Sequence, residues 1–170
     1  MLPLRCLLGL PALLLAASAA VALAAAPLPA PAGKVILSIT GNVAVRNAGD
    51  AAEFDLAMLT ELPRVTVRTT TPWTDGMIAF EGVPFPALLG RVGAGGTHLT
   101  AVALNDYSIE IEIADLVRSD AFLAFSMNGK PIAVREKGPL WIIYPVRNGG
   151  PPSPEQTHRM VWQLRRLIVR

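Results

Sequence analysis

The firmest constraint on this chain is the two-residue period of Tyr107-Ser-Ile-Glu-Ile-Glu-Ile113. Tyr107, Ile109, Ile111 and Ile113 fall on one side, and Ser108, Glu110 and Glu112 on the other. That is the pattern of a strand with one buried face. Other short segments read as strands too: Lys34–Thr40, Arg64–Thr70, Met77–Glu81, His98–Leu104, Ala121–Met127, Pro131–Arg135, Leu140–Tyr144 and Val161–Val169. Asn128-Gly129 marks a tight hairpin between two of them. Helical spacing is confined to short pieces. They are Phe54–Leu62, with Asp55 as N-cap and Pro63 as stop, a helix opened by Pro86 and punctuated by Gly90 and Gly93, a single turn at Asp115–Arg118, and Glu155–Met160. Asn148–Pro154 reads as a loop. The expected fold class is α+β, a mixed, β-rich single domain with short helices.

The N-terminus reads differently. Met1–Arg5 is a short basic start, Leu7–Leu15 is an apolar run broken by Gly9 and Pro11, and Ala22-Leu23-Ala24 fits a small-x-small cleavage site. Residues 1–24 are therefore expected to be a Sec-type signal peptide, sending the rest to an exported compartment such as the bacterial periplasm. Residues 25–33 read as a mobile Pro/Ala linker and residues 34–170 as the domain. Cys6 falls inside the signal, so the processed chain has no thiol for a disulfide, a metal or nucleophilic chemistry. Arg5 leaves with it, and 14 cations then face 13 acids. A chain so close to neutral has no bias toward polyanions, which argues against a nucleic-acid partner.

Several chemistries lack their residues. His98 and His158 are the only histidines, widely separated and without cysteine partners, so a metal site is not expected. Glu110 and Glu112 share a strand face but read as a solvated outer surface. Gly93-Ala94-Gly95-Gly96 follows a helix rather than a strand, unlike a nucleotide turn. Arg165, Arg166 and Arg170 read as surface charges. What remains is a set of polar and aromatic stretches at element ends, where sites are commonly built. These are Thr69-Thr70-Thr71-Pro72-Trp73, Asn105-Asp106-Tyr107, Asn128-Gly129-Lys130 and Arg135-Glu136-Lys137-Gly138-Pro139.

The order of these stretches resembles the molybdopterin-binding domain of the sulfite-oxidase-type oxidoreductases. The pieces that carry the resemblance are Gly-Val-x-x-x-x-Leu-Leu over Gly82 to Leu89, Asn105-Asp106-Tyr107, Met127-Asn128-Gly129 and Gly138-Pro139-Leu140. The resemblance implies a β-rich α+β fold and redox chemistry at a molybdenum held by a pterin dithiolene and one cysteine thiolate. Here the position matching that cysteine is Thr71 or its neighbour Thr70. A neutral hydroxyl is no substitute for a soft thiolate on oxo-molybdenum. Trp141 stands where the family commonly has an arginine. The signal carries Arg5 alone rather than a twin-arginine pair.

These departures favour an exported, cofactor-less binding module over an enzyme. Its candidate cleft comprises Thr71, Trp73, Asn105, Asp106, Tyr107, Arg135, Lys137 and Trp141. Trp73 and Trp141 would supply apolar walls, Arg135 and Lys137 an attraction for anions, and Asn105 and Asp106 orienting polar groups. No catalytic and no metal-binding residue is assigned, and no cofactor is expected. The partner would be a small ligand or a membrane-associated protein. The alternative is an active molybdopterin oxidoreductase with a non-cysteine metal environment, in which Asp106 or Tyr107 approaches the metal; molybdopterin would then be its cofactor.

Overall fold

The computed structural model describes residues 26–146 and 150–170. The expected signal peptide, Cys6 and positions 148 and 149 of the loop lie outside the described residues. Two mixed or antiparallel sheets share one core. The first runs β2 (Ala52–Phe54), β1 (Leu37–Gly41), β10 (Leu164–Val169), β5 (His98–Ala103) and β6 (Ser108–Glu112). The second runs β3 (Val65–Thr69), β4 (Ile78–Pro84), β7 (Phe122–Met127) and β8 (Lys130–Pro131), with β9 (Trp141–Ile143) also on β7. The helices are α1 (Leu56–Thr60), α2 (Phe85–Val92), α3 (Ile113–Arg118) and α4 (Pro154–Arg159). The α+β class is therefore as the sequence predicts. Among the described residues, no helix is long and apolar enough to cross a membrane.

The alternating segments bury the faces that their period requires. Ile111 is buried while Ser108, Glu110 and Glu112 are exposed. β7 departs from alternation: all of its residues but Met127 are buried, as befits a strand covered on both faces. It pairs with β4 on one side and with β8 and β9 on the other. Where β4 meets β7 the register shifts between Glu81 and Gly82. A Cβ at position 82 would overlap the Leu123 carbonyl, so only glycine permits that approach. Asn128 and Gly129 both have positive φ, the geometry of a type I′ hairpin turn.

The structure corrects two local expectations. The segment before β1 is not a mobile linker. Leu28 is buried in the core, Arg91 donates to the Ala26 and Pro27 carbonyls at 2.9 Å each, and Asn47 donates to the Pro29 carbonyl at 2.7 Å. The Asp55 carboxylate caps α1 by accepting from Met58 N at 2.9 Å and also accepts from Gly33 N at 2.7 Å. Pro/Ala composition signals an absence of regular structure, and tertiary contacts then decided that this stretch is held. Likewise Pro131–Arg135 is not a strand throughout. The strand ends at Pro131, with one further backbone bond from Ile132 N to the Phe125 carbonyl at 3.0 Å, and Val134–Glu136 closes as a 3-10 turn with Glu136 N donating to the Ala133 carbonyl at 2.8 Å.

Behind β9 a polar cluster joins α3 to α4. Tyr144 is fully buried, and its hydroxyl donates to Asp115 Oδ2 at 3.1 Å. Arg159 donates to the same oxygen at 2.7 Å and to Glu155 at 2.6 Å. Burial first, and then the adjacent Asp115 carboxylate, push the Tyr144 hydroxyl well above its ordinary value of 10.0. A folded-state value above the unfolded one gives a contribution that is complete below pH 10 and lost as pH rises beyond it. The urea midpoint should therefore fall above pH 10 more steeply for the native protein than for Tyr144→Phe. Parallel pH profiles for the two proteins would refute this account.

Candidate functional site

The cleft forms where the two sheets meet. After α4 the chain runs beside β9: Ile142 N donates to the Val161 carbonyl at 2.9 Å and Leu164 N to the Leu140 carbonyl at 3.0 Å. This places Trp162 directly opposite Trp141 as an isolated bridge between the sheets. A second wall comes from the β3–β4 loop. Thr71-Pro72-Trp73-Thr74 is a turn closed by Thr74 N donating to the Thr71 carbonyl at 3.3 Å, with Pro72 at the position where its fixed φ is useful. A third comes from the β5–β6 turn. Asp106 N donates to the Ala103 carbonyl, and Asp106 itself has positive φ, which is a three-residue hairpin loop ending in a bulge. Asn105 Oδ1 accepts from Tyr107 N at 3.2 Å and tightens it.

The resulting cavity measures about 280 Å³ and is lined by Trp73, Ala103, Asn105, Tyr107, Thr157, His158, Met160, Val161 and Trp162. Trp73 and Trp162 meet edge to face at 4.7 Å between ring centroids. Trp73 also leans on Trp141 at 6.0 Å, and Trp141 on Phe80 at 5.5 Å, so an aromatic stack runs from the core to the cleft. The Tyr107 hydroxyl donates to the His158 carbonyl at 3.3 Å, tying the hairpin to the end of α4.

Of the eight sequence-predicted residues, Trp73, Asn105 and Tyr107 line this cavity. Tyr107 is not on the buried face its strand period suggested but 45% exposed at the mouth. It pairs with Ala103 at the open end of the hairpin, where its ring borders the cavity instead of the core. Thr71 lies behind Trp73, 6% exposed, its hydroxyl accepting from Trp73 N at 3.2 Å and sharing a hydrogen bond with the Thr74 hydroxyl at 3.0 Å. Asp106 pairs with Arg165, which also donates to the Ala103 carbonyl at 3.1 Å. Lys137 stacks its ammonium on Trp162, 4.8 Å from the ring centroid. Arg135 does not join the cleft as an anion attractor. Its side chain is 86% exposed and its ion-pair contact is Glu136 at 4.0 Å. Trp141 is not a cleft wall but core, fully buried, with Nε1 donating to the Met160 carbonyl at 3.2 Å.

Sequence reasoning missed Trp162, Met160, Val161, Thr157 and His158 as lining. The third tryptophan was the available signal. Its position before a strand does not say which other indoles it will meet.

Two sheets joined at an aromatic cleft, with short helices around them, define a β-rich α+β domain. Residues 27–151 match the oxidoreductase molybdopterin-binding domain, and the chain belongs to that family. Among solved structures it resembles the sulfane dehydrogenase SoxCD from Paracoccus pantotrophus, with a TM-score of 0.58 and 20% identity. The likeness covers 78% of this chain and 37% of that one, so it is a likeness of fold over about a third of the larger protein. No curated protein matches the chain.

The residues present do not fit the family's metal group. The family thiolate has no counterpart in the described residues, where Thr71 offers a hydroxyl already spent on its own turn. Asp106 is engaged by Arg165 and Tyr107 by the His158 carbonyl. No group of three or more His, Cys, Asp or Glu gathers among the described residues. No Asp, Glu, Lys or Arg lines the cavity to meet an anionic pterin. The volume also falls just below the range of about 300–1,000 Å³ usual for small-ligand sites.

Proposed function

We propose that this chain is an exported member of the molybdopterin-binding family that holds no molybdenum and serves as a binding module, for a small ligand or for a membrane-associated partner. Thr71 is the observation that carries this reading. Thr71 or its neighbour Thr70 is the position the family resemblance assigns to the thiolate, and the Thr71 hydroxyl is committed within the Thr71–Thr74 turn. A hard, neutral, already bonded oxygen is a poor ligand for a metal that favours a soft thiolate. The cleft lining supports the same reading, because it is aromatic and apolar with a few polar residues and no Asp, Glu, Lys or Arg. Export rests on the composition of residues 1–24.

Expression in a host that makes the cofactor provides the test. The full chain should be recovered processed in the periplasmic fraction, with substoichiometric molybdenum and no dithiolene absorbance. Thr71→Cys should remain metal-poor as well, since one thiol supplies no charge for the pterin phosphate. One molybdenum per native chain, together with sulfite or sulfoxide turnover, would end the proposal. Metal gained only in Thr71→Cys would show that the missing thiol alone empties the cleft.

A further inference from the structure

We infer that the cleft is a site for a compact, uncharged, ring-bearing compound, recognised by stacking on Trp73 and Trp162. This deepens the binding-module reading and rests on it. The ring geometry comes first. Trp73 and Trp162 stand edge to face at 4.7 Å, and Trp73 is backed by Trp141, so the wall is fixed before any ligand arrives. Preorganised indoles offer a large contact area with little rotamer entropy to lose.

Charge decides the ligand class. An ion in this cavity would shed its water and meet no Asp, Glu, Lys or Arg among the lining residues. The nearby cations are already engaged. Lys137 sits on the Trp162 ring, Arg165 pairs with Asp106, and Arg159 pairs with Asp115 and Glu155. Asp106 and Asp115 are neutralised by the same contacts. The polar residues that line the cavity and could orient a guest are Asn105, Tyr107, Thr157 and His158. A cavity of about 280 Å³ admits one ring or a small fused pair with a short polar substituent, not an extended chain.

All three tryptophans of the sequence belong to this cluster, so the indole N–H signals in a nitrogen–proton NMR spectrum report on it alone. The full chain, purified after export, is titrated with benzyl alcohol, benzoate and benzylamine, which share a ring and differ in charge. Benzyl alcohol should shift the Trp73 and Trp162 signals saturably and leave Trp141 nearly still. Benzoate and benzylamine should each bind about tenfold more weakly or not at all. Trp162→Ala should weaken benzyl alcohol about tenfold, and Trp162→Phe, which keeps a ring, should restore most of it. Amide dispersion confirms that each variant is folded.

Tighter binding of either ion, or no saturable shift with benzyl alcohol, overturns the inference. So does a dimer in sedimentation in which the Trp162 signal is already protected, because a second copy would then fill the cleft. Molybdenum measured in the same preparation separates the two failures: a metal-loaded chain overturns the binding-module reading itself, whereas a metal-free chain that ignores the neutral ring overturns only this inference.

Discussion

Trp141→Ala should cost about 3–5 kcal/mol of unfolding free energy, the usual loss for a large aromatic side chain removed from a core. Trp141 is fully buried, meets Phe80 and Trp73 through its ring, and satisfies the Met160 carbonyl with its indole N–H. Truncation therefore leaves a cavity under the cleft and a buried carbonyl without its donor, which adds about 1 kcal/mol. A single domain has about 5–15 kcal/mol in all, so the variant should sit near the edge of folding. Trp141→Phe should lose less, because it keeps a ring and forfeits only the donor and part of the volume. Trp141→Arg should not fold, since its guanidinium would be buried without a carboxylate. Urea denaturation followed by far-ultraviolet circular dichroism reads all three. An alanine variant within about 0.5 kcal/mol of the native protein would return Trp141 to the cleft wall and undo the site described above.

The second large effect is expected at Asp115. Its carboxylate accepts from both Tyr144 and Arg159, and the two charged side chains are 17% and 19% exposed. Breaking a fully buried pair from one side costs about 3–5 kcal/mol. Water still reaches this one, so Asp115→Ala should cost about 2 kcal/mol. Asp115→Asn should cost roughly half as much, because an amide oxygen in the place of Oδ2 still accepts both hydrogen bonds but brings no charge to Arg159. The consequence extends past stability. Arg159 precedes Met160 and Val161 in the cleft lining, and α4 reaches α3 through Asp115. Asp115→Ala should therefore also broaden the Trp162 indole signal. A large loss of stability with an unchanged indole spectrum would confine the cluster to a structural role.

Much of the fold is visible in local pattern. The alternation after Tyr107 gives β6, Asn128-Gly129 gives the β7–β8 hairpin, Asp55 gives the cap of α1, and Pro86 with Gly93 brackets α2. Each of these depends on residues within a few positions of one another. β2 escaped notice because three residues are too few to show a period. The run after Pro131 was misread because its apolar residues look like a strand whether or not a partner is present. The candidate site was half legible. Asn105 and Tyr107 lie at a turn that polar composition announces, whereas Arg135 differs from Lys137 only in which way a 3-10 turn points it.

By itself, the sequence determined the β-rich class and the position of most strands, because periodicity is local. Only the tertiary structure decided that β10 would lie parallel to β1, that residues 26–33 would be held, and that Trp73, Trp141 and Trp162 would form one stack. The physical reason is distance along the chain. Long-range pairing is selected by how well the two sheets together exclude water, a property of the whole core that no short segment encodes.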